Sequence, residues 1–205
     1  MAKSDAYVIG ASGHGKVVAS TLVAAGYNVA GFFDDDDLLH AAKFFQLPVI
    51  GGKDKYFQMG CPPAVVGIGN ADARKDVARR YSGRYLKAVH TNAYVHSSAK
   101  VGVGSVIFAG SIVQPDTLIG EHAILNTGSI IDHDCWIGNF VHICPGVSIA
   151  GNVTIRDGAW IGIGAQVIQG ISIGEGAVVG AGATVIRDVP DNVTVVGTPA
   201  RISRY

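Results

Sequence analysis

An aliphatic residue returns at every sixth position through the second half of the chain. Sixteen consecutive hexads between Val95 and Pro190 each begin with Val, Ile or Leu. The fifth residue of each hexad is small or β-branched, and Ile171 is the largest residue found there. A repeat of fixed period indicates short units that bury their apolar side chains by stacking on one another. We therefore predict a β-solenoid in which the aliphatic residue points inward and the fifth residue fills a tight corner.

The hexad pattern resembles that of left-handed parallel β-helices, in which three hexads form one triangular coil. Sixteen hexads then correspond to about five coils. No hexad is interrupted, so we expect no long loop to leave the β-helix between Val95 and Pro190. The tail from Asp191 onward breaks the pattern, and we expect it to cap the last coil.

The first part of the chain alternates strand-like and helix-like segments. AYVIGASG is typical of a buried strand that ends in glycines, and GKVVASTLVAAG has helical spacing up to a C-cap at Gly26. YNVAGFFDDDD predicts a second strand, and AVVGIGN predicts a third, followed by a polar helix with Asn70 as its N-cap. This alternation predicts a parallel sheet. We divide the chain into a half-Rossmann-like α/β domain (residues 1–90) and a left-handed parallel β-helix domain with a C-terminal cap (residues 91–205).

Composition narrows the class of protein. Lys and Arg together number 16 and so do Asp and Glu, so no overall charge favours nucleic acid or an anionic membrane. Only 16% of residues are charged and 48% are hydrophobic, which favours a subunit that buries surface in an oligomer. The sequence contains no apolar stretch of transmembrane length, and we expect no signal peptide. Three scattered cysteines without metal spacing favour a cytoplasmic chain with free thiols.

Two of the seven histidines occupy informative positions in the repeat. His133 is the third residue of its hexad, so it should project from a corner, flanked by Asp132 and Asp134. Either carboxylate is suited to orient the ring and stabilise its protonated form, as general-base catalysis requires, although a polar corner residue without function has the same pattern. His142 lies nine residues further, half a coil away. The two rings should therefore meet only between subunits of an oligomer. The alternative is that His142 belongs to no active site and only makes a hydrogen bond in the subunit interface.

The order of these segments resembles that of one bacterial family. GASGHGK at residues 10–16, the acidic residues after the second strand, the GIGN third strand and the uninterrupted β-helix with NTGSIIDHDC and IGNFVHICPGVSIAGNV are together similar to the hexapeptide-repeat sugar acetyltransferases. Within that family they are closest to the UDP-4-amino-sugar N-acetyltransferases of the bacillosamine pathway and to the sialic-acid O-acetyltransferases. The resemblance covers essentially the whole chain. It implies a cytoplasmic homotrimer that uses acetyl-CoA as co-substrate, without a metal cofactor.

The resemblance also implies roles for individual residues. His133 matches the general base of the family, and Asp134 matches its acidic partner, which is usually glutamate there. The histidine that matches His142 contacts acetyl-CoA near the thioester. The other implied coenzyme contacts are Gly151, Ile163 and Ala181. The implied nucleotide-sugar contacts are Ser12, Gly13, His14, Asp34, Asp35 and Gly69.

The leading hypothesis is transfer of an acetyl group to the C4 amine of a UDP- or GDP-linked 4-amino-4,6-dideoxy sugar, directly in a ternary complex with His133 as base. Cys135 is expected to fill a corner and not to act as a nucleophile. One alternative is O-acetylation of a sialic acid or a similar sugar. Another is a binding protein or a metal-dependent β-helix resembling carbonic anhydrases, with His122, His133 and His142 as candidate ligands.

Overall fold

The computed structural model describes residues 3–40 and 42–203. Its N-terminal elements are, in chain order, β1 (Lys3–Ile9), α1 (Gly13–Ala24), β2 (Tyr27–Phe33), a 3₁₀ turn (Asp37–Leu39), β3 (Lys43–Phe44), β4 (Leu47–Gly51), α2 (Lys53–Gln58), β5 (Ala64–Val66) and α3 (Ala71–Arg80). The strands form one sheet in the order β3-β4-β2-β1-β5. Strands β4, β2, β1 and β5 are parallel, whereas β3 runs antiparallel to β4.

The helix ends of this α/β part follow the sequence signals. The side chain of Ser12 accepts a hydrogen bond from the Gly15 amide and so caps α1, and Asn70 caps α3 in the same way. Gly26 follows α1 with a φ of 85°, a left-handed conformation that glycine adopts at little cost. The predicted alternation of parallel strands and helices is confirmed.

The second part of the chain consists of short strands. In chain order they are β6 (Ala88–Val89), β7 (Tyr94–Val95), β8 (Lys100–Val101), β9 (Val106–Ile107), β10 (Ile112–Val113), β11 (Leu118–Ile119), β12 (Ile124–Leu125), β13 (Ile130–Ile131), β14 (Trp136–Ile137), β15 (His142–Ile143), β16 (Ser148–Ile149), β17 (Thr154–Ile155), β18 (Trp160–Ile161), β19 (Gln166–Val167), β20 (Ser172–Ile173), β21 (Val178–Val179), β22 (Thr184–Val185), β23 (Thr194–Val196) and β24 (Arg201–Ile202).

These strands form the three faces of a left-handed parallel β-helix. The first face holds β7, β10, β13, β16, β19 and β22, and the second holds β8, β11, β14, β17 and β20. The third face holds β6, β9, β12, β15, β18, β21 and β23, and β24 pairs antiparallel with β23 at its end. The residue that opens each hexad points inward and is buried in every coil from Ile107 to Val185. Burying each of these aliphatic side chains contributes about 1.5–3 kcal/mol relative to exposure. The repeat is therefore confirmed as a stacked solenoid.

The α/β part packs on the third face. On this face the outward residues Ala88, Val106 and Ile124 lie one above the other in register, and they are buried in one cluster with Val18, Ala19 and Leu22 of α1. Strand β6 thus belongs to the β-helix although it precedes residue 90, and the exact division of the chain into domains stays a prediction. Among the helices of residues 3–40 and 42–203, none has the length and apolar character needed to span a membrane.

Candidate active site

His133 lies at the corner between the first and second faces. Its Nδ1 atom is 2.7 Å from Oδ2 of Asp134, and both side chains are more than half exposed, at 58% and 60%. This hydrogen bond raises the pKa of His133, and the charge of Asp132 acts in the same direction. With Nδ1–H donating to a carboxylate, Nε2 presents a lone pair to the outside. The pair thus has the geometry of a general base with an orienting acid.

Asp134 occupies a backbone position that usually belongs to glycine. Its φ is 58°, and the fourth residue of most hexads is a glycine in this left-handed conformation. A non-glycine residue there costs roughly 1–3 kcal/mol, less for aspartate and asparagine, and such residues concentrate at functional sites. Asp116 and Asn152 adopt the same conformation one coil before and one coil after, so the backbone of this corner readily accommodates the carboxylate beside His133.

Gly151 lies one coil further along the same corner and contacts the ring of His133. A Cβ atom at this position would come within 2.7 Å of Cε1 and 2.8 Å of Nε2 of His133. Only glycine therefore leaves the ring its observed place. The structure brings together two predicted site residues, His133 and Gly151, at this corner.

His142 lies on the third face, at the margin of the α/β part. It follows Ile124 in the outward row, and its ring is buried. The Nδ1 atom is 3.2 Å from the carbonyl oxygen of Gly69, and Nε2 is 3.2 Å from Nδ2 of Asn126. Burial lowers the pKa of His142 to about 4, and the positive charge of Arg74 acts in the same direction. This histidine is therefore uncharged at neutral pH.

The predicted nucleotide loop faces the same region. His14 lies at the start of α1, and its ring centroid is 6.0 Å from that of His142 and 5.4 Å from that of Phe108. Its Nε2 atom is buried and has no hydrogen-bond partner among the described residues. Burial lowers the pKa of His14 to about 4, with contributions from His142 and Arg74. His14, Gly69 and His142 thus form one cluster between the two parts of the chain.

The acidic residues after β2 already have partners within the chain. Asp34 accepts hydrogen bonds from the amides of Ala11, at 2.7 Å, and Asp36, at 3.0 Å. It therefore holds the loop that leads into α1. The carboxylate of Asp35 accepts from the amide of Lys53 and from the hydroxyl of Tyr81, and it forms an ion pair with Arg80.

Two further predicted coenzyme contacts, Ile163 and Ala181, share the corner between the third and first faces. Ile163 is 59% exposed, and its carbonyl accepts a hydrogen bond from Gly182 at 2.8 Å. This corner borders the face that carries His142, whereas His133 and Gly151 lie at a different corner. Within one chain, the site residues therefore fall into two separate groups.

The three histidines considered as metal ligands, His122, His133 and His142, do not lie together within one chain. His122 is buried, with its ring stacked 5.1 Å from Phe140 and edge-on to Tyr85, while His133 is exposed at another corner. In the part of the chain that the structure describes, no group of three or more His, Cys, Asp or Glu side chains is arranged to hold a metal ion.

Sequence reasoning missed three features of this region. One is a cleft of about 510 Å³ between the start of α3 and the third face, with Gly69, His142 and Trp160 among its lining residues. The others are Arg74, which is buried beneath Gly69, and Asn126, which contacts His142. Of the three, only the cleft could have been noticed in the sequence. Phe140, which lines it, occupies the fourth position of its hexad, where most hexads have glycine.

Family models match both parts of the chain. Residues 5–81 match the PglD N-terminal domain, and residues 152–187 match the bacterial transferase hexapeptide of six repeats. No protein of the curated set matches the chain at a significant level.

Solved structures match it over nearly its full length. A histidine-to-asparagine variant of perosamine N-acetyltransferase from Caulobacter crescentus, in complex with CoA and GDP-perosamine, is 36% identical, with a TM-score of 0.92 over 98% of this chain and 97% of that chain. The acetyltransferase domain of PglB from Neisseria gonorrhoeae, in complex with acetyl coenzyme A, is 35% identical, with a TM-score of 0.90 over 97% and 98%. WeeI from Acinetobacter baumannii is 30% identical, with a TM-score of 0.85 over 98% and 100%.

Replacing Asp134 with asparagine is expected to lower the pKa of His133, because the imidazolium loses its hydrogen-bonded anion. Asparagine tolerates the left-handed backbone at this corner, so the fold should not change. NMR titration of the histidine ring signals measures this pKa. Asp132→Asn is the matched control and should lower the pKa by less, since Asp132 acts on the ring only through its charge. An unaltered pKa in Asp134→Asn would show that the pair is not formed in solution.

Proposed function

The chain belongs to the hexapeptide-repeat sugar acetyltransferase family, and we propose that it transfers acetyl from acetyl-CoA to the C4 amine of a nucleotide-linked 4-amino-4,6-dideoxy sugar. It is an acyltransferase with acetyl-CoA as co-substrate and a nucleotide-linked amino sugar as acceptor. The observation that carries this is the match over nearly the full length to a perosamine N-acetyltransferase bound to CoA and GDP-perosamine.

His133 is the proposed general base. The sugar amine attacks the thioester carbonyl, a C–N bond forms, and Nε2 of His133 takes the proton that the amine loses. The C–S bond then breaks, and the proton returns to the leaving thiolate, which departs as CoA. Asp134 stabilises the transient imidazolium through the hydrogen bond at Nδ1.

Direct transfer in a ternary complex is the proposed route. Cys135 is buried within the coil, and its thiol points at the carbonyl of Ala150, 3.3 Å away. Burial raises the pKa of Cys135, so the thiolate needed for a covalent acetyl intermediate is disfavoured. These features support direct attack of the amine on acetyl-CoA.

We propose a homotrimer whose active sites lie between subunits. The base at His133 and the cluster around His142 lie at different corners of one chain, so a second subunit is needed to bring them together. Large apolar side chains are exposed on both faces beside the corner of His133. They are Tyr94, Leu118, Ile130 and Trp136, each 40–51% exposed. Exposed apolar surface of this kind is typical of subunit contacts.

The two substrates have distinct proposed places. The amides at the start of α1, at Ser12, Gly13 and His14, are suited to bind the pyrophosphate, because a helix N-terminus attracts anions. Asp34 and Asp35 are proposed to accept hydrogen bonds from the base or ribose, since an ionised carboxylate has free lone pairs beyond those used within the chain.

Gly69 and His142 then face the sugar and the thioester. The pantetheine arm is proposed to follow the corner of Ile163 and Ala181, and to contact Gly151 of the partner subunit.

An acceptor screen tests the proposed activity. Purified protein is incubated with acetyl-CoA and, separately, with UDP- and GDP-linked 4-amino-4,6-dideoxy sugars, and thiol release is followed together with the mass of the product. We expect a gain of one acetyl group on the amine of one of these sugars. The matching 4-hydroxy sugars are the control and should not react. Acetylation of a sialic acid hydroxyl with no reaction of any amino sugar would contradict N-transfer.

His133→Ala is expected to lower kcat by about a hundredfold or more, because proton removal loses its base. The fold and the oligomeric state should not change, because His133 lies at an exposed corner. Steady-state kinetics and sedimentation measure the two effects. His96→Ala, at a histidine near the start of the β-helix, is the control and should retain activity. Turnover of His133→Ala at the unmodified rate would exclude His133 from the mechanism.

A further inference from the structure

Arg74 is a buried cation enclosed by carbonyl oxygens. Its side chain is 1% exposed, and no ion pair includes it among the described residues. The guanidinium instead donates to four backbone carbonyls, those of Ile68 at 3.0 Å, Gly69 at 2.7 Å, His122 at 2.9 Å and Phe140 at 2.5 Å. A buried charge without a counter-ion is costly, so packing alone is a poor reason for an arginine here.

The two acceptors on the β-helix have an unusual backbone. His122 and Phe140 both occupy the fourth position of their hexads, with φ values of 52° and 57° where most hexads have glycine. Their rings stack in parallel, with centroids 5.1 Å apart. The β-helix therefore presents two carbonyls in fixed positions, and Arg74 uses them to hold the loop of Ile68 and Gly69 against it.

The Gly69 carbonyl is shared between Arg74 and His142. A carbonyl oxygen only accepts hydrogen bonds, so Nδ1 of His142, 3.2 Å away, must carry the proton. Nε2 then accepts from the amide group of Asn126. The orientation of that amide is fixed, because its Oδ1 already accepts from the Thr127 backbone at 2.8 Å. The partners on both sides thus specify one tautomer of His142.

We propose that Arg74 is a positioning residue, which holds the Gly69 carbonyl against His142 and so fixes this ring in its Nδ1-protonated tautomer. The effect on turnover rests on the proposed function, in which His142 contacts the thioester. The tautomer itself does not depend on it, because it exists without substrate. The charge of Arg74 acts separately and keeps the ring uncharged, since it opposes a positive charge on His142.

Arg74→Lys tests the proposal, because lysine keeps the charge but lacks the planar fork that reaches several carbonyls. In ¹⁵N-histidine-labelled protein, NMR distinguishes the two ring nitrogens, and the His142→Asn variant identifies the signals of His142. We expect the wild type to show protonated Nδ1, and Arg74→Lys to shift His142 towards the Nε2-protonated tautomer. We also expect kcat to fall about tenfold or more, with a smaller change in KM for acetyl-CoA.

Arg79→Lys is the matched control, because Arg79 is an exposed arginine on the same helix. It should leave both the tautomer and kcat unaffected. A wild-type His142 protonated at Nε2, or a folded Arg74→Lys variant with the wild-type tautomer, would overturn the proposal.

If Arg74→Lys does not fold, Asn126→Ala decides the question. We expect the Nδ1-protonated tautomer to persist in this variant, because the bond from Arg74 to Gly69 is intact. A switch of tautomer would assign the effect to Asn126 and overturn the proposal. Failure of the acetylation screen would leave these spectra unaffected, so the two proposals are tested separately.

Discussion

The parallel pairing of each strand with the strand three hexads later is the constraint on which the rest of this molecule depends. Ile112 pairs with Ile130 and Ile130 with Ser148, and the same step repeats along all three faces. This register stacks the aliphatic residue of every hexad on its equivalents and fills the interior. Because the interior and the backbone are committed to the fold, functional chemistry is confined to outward side chains and corners.

The outward row of the third face connects this register to the site. Its first members are apolar and buried under α1, the next is His142, and the next, Trp160, lines an open cleft. The α/β part therefore covers the face only as far as His142. That ring lies where the GASGHGK segment and the GIGN loop reach the β-helix. Its position therefore depends on how many coils of the outward row are apolar and covered by α1.

Local signals predicted much of this structure. The repeat predicted the solenoid, and the capping residues Ser12 and Asn70 marked the starts of two helices. The third position of a hexad predicted an outward corner for His133, where the repeat requires no particular residue. These predictions succeeded because each depends on the chain within one coil or one helical turn.

Features that depend on packing between distant segments were not predictable in this way. Arg74 lies in a helix with several charged residues, and nothing in its local sequence distinguishes it from the exposed Arg79. It is buried because α3 packs against one corner of the β-helix in two successive coils, nearly fifty and more than sixty residues away. The internal partners of Asp35, on α2 and at the end of α3, depend on tertiary structure in the same way.

The proposed site between subunits is tested most directly by mixing two impaired variants. His133→Ala and His142→Asn each remove one half of the site. If His133 acts together with His142 of the partner subunit, a site is intact where one variant supplies His133 and the other supplies His142. In trimers assembled at random from equal amounts of the two variants, about one quarter of all sites are intact. The mixture should then recover about one quarter of wild-type activity. A mixture no more active than its separate components, with mixed trimers shown to be present, would contradict a shared site.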